Sequence, residues 1–225
     1  MSKNIKWKKY IALVGMLFLF PLVFLLFFGK MGKHNFKTLP YFGIESPNEQ
    51  THSDYTIPGF VFSDQNGNAF TRDSLVGNVW LAAFYSLNDP HLDKITERIL
   101  NLNFRYRDEK DIRIVTFCTD CDYDALPLVQ NYTHQLNRYN CRQDKWVYLT
   151  GNQAAMQSFI RNGFLIQDLK NEAIFRLVDE SGHIRGLYGN TEYHMLNAME
   201  DVALLKKEID IRKYNEKKAR EKGVQ

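Results

Sequence analysis

Two short segments carry residue types that could do chemistry: a Cys-x-x-Cys pair at Cys118 and Cys121, and two carboxylates at Asp89 and Asp93. Cysteines at this spacing can close a disulfide, exchange it with other thiols, or bind a soft metal ion. Aspartates four residues apart lie one helical turn apart, so their carboxylates can approach each other and bind a hard cation. The sequence therefore offers two candidate sites of different chemistry.

The aspartate pair also has a structural interpretation. Asp89 directly precedes Pro90, and proline suits the first turn of a helix. Asp89 would then cap that helix, and Asp93 would favour its positive end. His91, between them, is typical of an exposed first-turn residue. Helix capping and a carboxylate metal site are both open at this point.

The cysteine pair has alternatives of the same kind. Cys118 ends a predicted strand rather than opening a helix, so the pair is not placed to gain a low thiolate pKa from a helix N-terminus. A structural disulfide or two buried thiols is one interpretation. The other is a redox pair or a metal-binding pair that could recruit Cys141, and Cys118 and Cys121 are then the candidate catalytic residues. Three cysteines leave one unpaired in an oxidising compartment.

Two buried strands must position these residues. The apolar run Val79 to Tyr85 has the length of a buried strand, and a helix follows Pro90 with apolar residues at Leu92, Ile95, Ile99 and Leu102. Asp111 to Cys118 predicts a second buried strand. Both candidate sites therefore follow a strand, at the edge where α/β folds place their ligands.

The remaining pattern completes a mixed sheet with helices on both faces. It predicts an early hairpin around Asn66-Gly67, helices at 124–138, 153–161 and 191–220, a short strand at 145–149, and a hairpin of 173–178 with 183–188. The fold class predicted is a thioredoxin-like α/β domain with an N-terminal β-hairpin extension, preceded by one transmembrane helix.

The N-terminus predicts a membrane anchor. Ile11 to Phe28 is uncharged and overwhelmingly apolar, and the run is followed by Gly29-Lys30 without an A-x-A-like cleavage site. Four lysines precede the span and three follow it, a small bias toward an internal N-terminus and an extracytoplasmic domain. We predict five segments: 1–10 basic, 11–29 transmembrane anchor, 30–55 linker, 56–210 thioredoxin-like domain, and 211–225 charged tail.

Composition excludes some functions. The net charge of +3 comes from the two ends of the chain, so nucleic-acid binding has little support. The sequence has neither a glycine-rich phosphate loop nor a nucleophile elbow.

Several segments in order resemble the Sco/SenC family of membrane-anchored thioredoxin-fold proteins in cytochrome c oxidase assembly. The resemblance spans Pro58 to about Leu205. It is carried by the opening PGFVFSDQNGNAFTRDSLVGN, by Phe84 with the turn after it, by Ile114 to Asp124 with aspartates at Asp120 and Asp124, by Trp146 with Leu149-Thr150-Gly151, and by Leu177-Val178-Asp179 with Gly182.

The resemblance implies copper, but the implied ligand positions are substituted. The family's two cysteines fall on Asp89 and Asp93, and its histidine falls on Asn171. Thiolates suit Cu(I), whereas carboxylates are hard oxygen ligands. The cofactor is therefore undetermined, and Asp89 and Asp93 are metal positions only by family correspondence.

Three functional hypotheses follow. The first is an assembly factor that kept the fold and lost the ligands, acting in respiratory oxidase assembly or copper and thiol homeostasis with oxidase subunits or assembly factors as partners. The second is a membrane-tethered thiol–disulfide or metal-handling protein that uses Cys118 and Cys121. The third is a carboxylate metal site at Asp89 and Asp93. An assembly factor is favoured over an enzyme, and an enzymatic activity would be thiol–disulfide oxidoreduction.

Overall fold

The computed structural model describes residues 38–43, 55–167 and 174–223, together with residues 7, 10, 14–17, 19–21, 23 and 24 near the N-terminus. The chain divides into two compact units, Met1–Lys37 and Thr38–Gln225. The described residues of the first unit are helical. About half of the predicted anchor at 11–29 falls outside the described residues, and among those described no helix is both long and apolar enough to cross a membrane.

The second unit is built on a five-stranded mixed sheet. Its strands and helices are β1 (Val61–Ser63), β2 (Ala69–Thr71), β3 (Val79–Tyr85), α1 (Leu92–Arg105), β4 (Ile112–Cys118), α2 (Leu126–Leu136), β5 (Trp146–Leu149), α3 (Gln153–Gly163), β6 (Ile174–Val178), β7 (Ile184–Gly189) and α4 (Glu192–Gly223). The sheet order is β5-β4-β3-β6-β7, and β1 and β2 form a separate hairpin.

The strand directions follow the connections. Strands β3, β4 and β5 are parallel, because α1 and α2 lie in the crossovers between them. Strand β6 runs antiparallel to β3, and β7 runs antiparallel to β6. The predicted thioredoxin-like α/β order, including the early hairpin and the second hairpin, is confirmed.

Both faces of the sheet are covered, and β3 explains how. All seven of its residues are buried, which is why the strand is a continuous apolar run. Val79, Leu81, Ala83 and Tyr85 pack with buried residues of α1, α2 and α4. The alternate residues Trp80, Ala82 and Phe84 pack with α3 and the residues around the early hairpin. The sheet is therefore a rigid platform for the loops at its edge.

Candidate functional site

The two predicted sites lie side by side because β3 and β4 are parallel neighbours. The last residue of β3, Tyr85, pairs in register with Cys118, the last residue of β4. The Thr119 amide then donates to the Tyr85 carbonyl oxygen at 3.1 Å. The loop that follows β3 and the turn that follows β4 are thereby held together at the carboxyl edge of the sheet.

Cys118 and Cys121 form a disulfide, with their Cα atoms 5.3 Å apart. Both residues are buried, each 2% exposed. A short 3-10 turn at Tyr123–Ala125 follows, and α2 begins only at Leu126. The pair thus closes the end of a strand away from a helix N-terminus, and the closed, buried form agrees with the structural interpretation of this motif.

Asp120 connects this disulfide to the neighbouring loop. Its carboxylate accepts hydrogen bonds from Ser86 Oγ, from the Leu87 amide at 3.2 Å and from Asn88 Nδ2 at 2.7 Å. Its Oδ1 atom also lies 3.4 Å from Cys118 Sγ and 3.7 Å from Cys121 Sγ. In the sequence Asp120 stands out only as part of a family motif, although its place between two cysteines was a usable signal.

Asp89 lies in the turn before α1. Its Oδ1 atom accepts the His91 amide at 2.7 Å, and its backbone carbonyl accepts the Leu92 amide at 3.0 Å. These two bonds close the turn Asp89–Leu92 ahead of α1, whereas the N-cap residue of α1 is His91, which makes no side-chain capping hydrogen bond. Asp93 and His91 are exposed at the start of the same helix. The predicted cap of this helix thus falls on His91 instead of Asp89, whose carboxylate holds the preceding turn, and a metal role for Asp89 and Asp93 stays a prediction.

Potential metal ligands converge at a different place. In the part of the chain that the structure describes, one group of three such residues has its ligand atoms within 4.8 Å of one another: Cys118, Asp120 and Cys121. Asp89, Asp93 and Cys141 are not members of that group. Asn171 lies outside the described residues.

Copper does not fit the positions that the family resemblance implies. The donors there are two carboxylates and an amide in place of two thiolates and an imidazole. Cu(I) prefers soft thiolate ligands, and one of the two carboxylates is already bound to the His91 amide. We therefore assign no role to copper at these positions.

Three buried hydroxyl groups, of Tyr85, Thr116 and Tyr148, lie in β3, β4 and β5 and carry no charge. Tyr85 and Tyr148 share a hydrogen bond between their hydroxyl groups, and Thr116 Oγ1 lies 3.5 Å from the Tyr85 hydroxyl. Burial raises the pKa of both tyrosines well above the ordinary value, so both are neutral hydroxyl groups. This neutral, hydrogen-bonded base holds the ends of β3 to β5 in one arrangement.

Cys141 is the remaining cysteine, free and half-buried. Burial, and then the negative charge of Asp144, raises the pKa of its thiol to about 11. A thiol with such a pKa is almost fully protonated at neutral pH, and it is therefore a poor nucleophile.

The comparisons with known proteins agree with this fold. No family model matches the chain. The SCO1 protein homolog of Bacillus subtilis (strain 168) is 27% identical over 130 residues, which is 56% of this chain and 66% of that relative, so the match spans just under two thirds of its length.

Solved structures give the same assignment. BsSco, described as a member of the Sco family of cytochrome c oxidase assembly proteins, matches with 25% identity and a TM-score of 0.55, covering 66% of this chain and 92% of that one. The thioredoxin domain of a thiol-disulfide oxidoreductase from Bacteroides vulgatus matches in fold, with 15% identity, a TM-score of 0.52 and coverage of 68% and 97%. The chain is thus a thioredoxin-like α/β protein. Within that class, its sequence and fold are similar to those of the Sco/SenC family, as its motifs predicted.

Proposed function

We propose that this protein is a membrane-tethered assembly factor for a respiratory oxidase that works without the copper ligand set of its family. The observation that carries the proposal is Asp89, which stands at a family cysteine position and whose carboxylate accepts the His91 amide in the turn before α1. The similarity to BsSco, a protein of cytochrome c oxidase assembly, supports the process. Because the fold is kept while the implied ligands are replaced, the activity that we assign to the domain is binding to protein partners.

The proposal places the domain outside the cytoplasm, attached through the apolar segment 11–29. The small lysine bias across that segment supports this orientation. The closed disulfide between Cys118 and Cys121 also supports it, because disulfides persist in oxidising compartments. Partners would then be oxidase subunits or other assembly factors on that side of the membrane.

A second candidate function is thiol–disulfide exchange by Cys118 and Cys121. The observation that favours it is the Asp120 carboxylate, which lies 3.4 and 3.7 Å from the two sulfur atoms and could accept a thiol proton. Burial of both cysteines opposes it, since an attacking thiolate must reach one of the sulfurs.

Complementation separates the two functions. We expect deletion of the gene in its source organism to lower cytochrome c oxidase activity in isolated membranes, and the wild-type chain to restore it. The Cys118→Ser/Cys121→Ser variant should also restore it if the protein is a ligand-free assembly factor. Failure of that variant, with wild-type protein levels on an immunoblot, would favour thiol exchange. Unchanged oxidase activity in the deletion strain would overturn the assembly role.

Fractionation tests the tether. We expect the full chain to stay with the membranes after alkaline carbonate extraction, and a variant lacking residues 2–29 to be released. A full chain that washes off under these conditions would contradict the anchor.

A further inference from the structure

The segment Cys118-Thr119-Asp120-Cys121 brings three ligand atoms to one point. Two sulfur atoms and one carboxylate oxygen lie within 4.8 Å of one another. The disulfide now occupies both sulfurs, and a sulfur bonded to its neighbour is not a thiolate ligand. Reduction would free two soft donors beside a carboxylate, on a turn whose ends are fixed by the sheet.

The surrounding hydrogen bonds orient the carboxylate toward the sulfurs. Ser86 Oγ and Asn88 Nδ2 both donate to Asp120 Oδ2, and the Leu87 amide donates to Oδ1. Oδ1 is also the atom nearest to the two sulfurs. Metal-binding carboxylates are held in this way by donors that fix their direction. The β3–α1 loop thus supplies an outer shell for a site whose ligands all come from the turn after β4.

The charge of the reduced site favours a cation. Two thiolates and a carboxylate carry three negative charges in a buried setting, which is costly without compensation. Across residues 38–43, 55–167 and 174–223, no lysine or arginine nitrogen forms an ion pair within 4.0 Å of Asp120. A divalent cation would neutralise most of this charge.

We propose that reduction converts this turn into a binding site for one thiophilic divalent cation, represented by Zn²⁺, with Cys118, Cys121 and Asp120 as ligands. A dithiol reductant supplies two electrons and two protons to the disulfide and is itself oxidised to a disulfide. Cation binding then releases the two thiol protons to solvent. The site is closed in the oxidised protein and open in the reduced one.

The ligand set selects the class of metal. Zn²⁺ accepts sulfur and oxygen ligands together in a tetrahedron, and three protein ligands leave its fourth position for water. Two sulfurs on one tetrahedral Zn²⁺ are about 3.7 Å apart, given Zn–S bonds of about 2.3 Å. The Cα atoms, 5.3 Å apart, allow this separation through side-chain rotation. Cu(I) would use the thiolates and gain little from the carboxylate.

Cobalt titration of the full chain in mild detergent tests the site. The protein is reduced with a phosphine, desalted without oxygen and titrated with Co²⁺, whose thiolate complexes absorb in the near ultraviolet. We expect one Co²⁺ per chain, displaced by an equivalent of Zn²⁺. The oxidised wild-type protein is the matched folded control, and it should give no such absorption. Asp120→Asn should weaken binding about tenfold or more, while Cys141→Ser should leave it unchanged.

Each other outcome overturns a stated part of the proposal. Absence of stoichiometric binding by the reduced wild type, or equal binding by the oxidised protein, overturns the redox-gated site. Affinity unchanged in Asp120→Asn overturns the carboxylate as a ligand. Loss of Co²⁺ affinity in Cys141→Ser would show that Cys141 is a ligand and that the proposed pair of thiol ligands is wrong. The test measures binding by purified protein, so its result does not depend on the proposed role in oxidase assembly.

Discussion

At the scale of single residues, the side chain that we expect to matter most for stability lies away from the candidate site. Arg185 of β7 is fully buried in its side chain and pairs with two carboxylates. Its Nη1 donates to Asp179 at 3.2 Å, and its Nη2 donates to Glu208 at 2.8 Å. Two backbone carbonyls, of Leu39 and Pro40, accept its remaining donors. A buried arginine is tolerated here because its charge and its hydrogen bonds are satisfied.

We expect Arg185→Leu to lower the free energy of unfolding by about 3–5 kcal/mol, because the variant leaves the buried Asp179 carboxylate without its arginine partner. Urea denaturation followed by circular dichroism measures the change. Arg142→Ala is the matched control: Arg142 pairs with Asp144 at the surface, and its removal should leave the free energy of unfolding nearly unchanged. If both variants lost equally little free energy of unfolding, the burial of the Arg185 ion pairs would not matter for stability.

The raised pKa of the Cys141 thiol predicts how the rate of its alkylation depends on pH. A raised thiol pKa means that the neutral form persists in the folded protein, so the reactive thiolate becomes abundant only as the pH nears 11. We expect alkylation of the native protein by iodoacetamide at pH 8 to be about 100-fold slower than alkylation of the urea-unfolded chain. The rate should rise steadily from pH 8 to 10. Rapid alkylation at pH 7 would mean that the folded environment does not suppress the thiolate.

At the scale of elements, the turn between β6 and β7 depends on a glycine. Gly182 has a φ of 94°, in the left-handed region that side chains disfavour. A Cβ atom there would lie 2.6 Å from Arg72 Nη2, and that guanidinium donates to the Ser181 carbonyl at 2.8 Å. A side chain at this position is therefore disfavoured twice, by the left-handed backbone conformation and by the contact with Arg72.

We expect Gly182→Ala to destabilise the protein by about 1–2 kcal/mol, through the left-handed backbone alone. Displacement of Arg72 would add to that loss. Gly59→Ala is the control, because a Cβ at Gly59 has no heavy atom within 4 Å. Thermal unfolding of both variants gives the comparison, and a larger loss in Gly59→Ala would refute this account of the turn.

The sequence predicted elements better than it predicted contacts between them. The apolar run of β3 and the three-and-four spacing of α1 are local patterns, and the structure confirms both. The contact of Asp120 with Ser86 joins residues 34 positions apart, and no local pattern encodes it. The packing of residues 38–43 was missed for the same reason, since Leu39 and Phe42 stand in a polar stretch that resembled a linker.

At the scale of the whole molecule, residues 38–43 extend the folded unit toward the N-terminus. The Phe42 amide donates to the Ile184 carbonyl at 3.0 Å, as an added bridge on the edge of β7. Leu39 and Phe42 are buried. The Leu39 amide also donates to Glu208 of α4 at 3.3 Å. This short segment thus joins β7 to α4, and the compact unit begins at Thr38.

Two truncations locate that boundary. We expect a chain starting at residue 38 to unfold at the same urea concentration as a longer chain starting at residue 30. A chain starting at residue 44 should lose about 3–6 kcal/mol, because it lacks the buried side chains of Leu39 and Phe42. It also removes two carbonyl acceptors from the buried Arg185, which adds to the loss. Equal stability of the chains starting at 38 and 44 would show that the segment is dispensable. A large loss already at residue 38 would move the boundary toward the N-terminus.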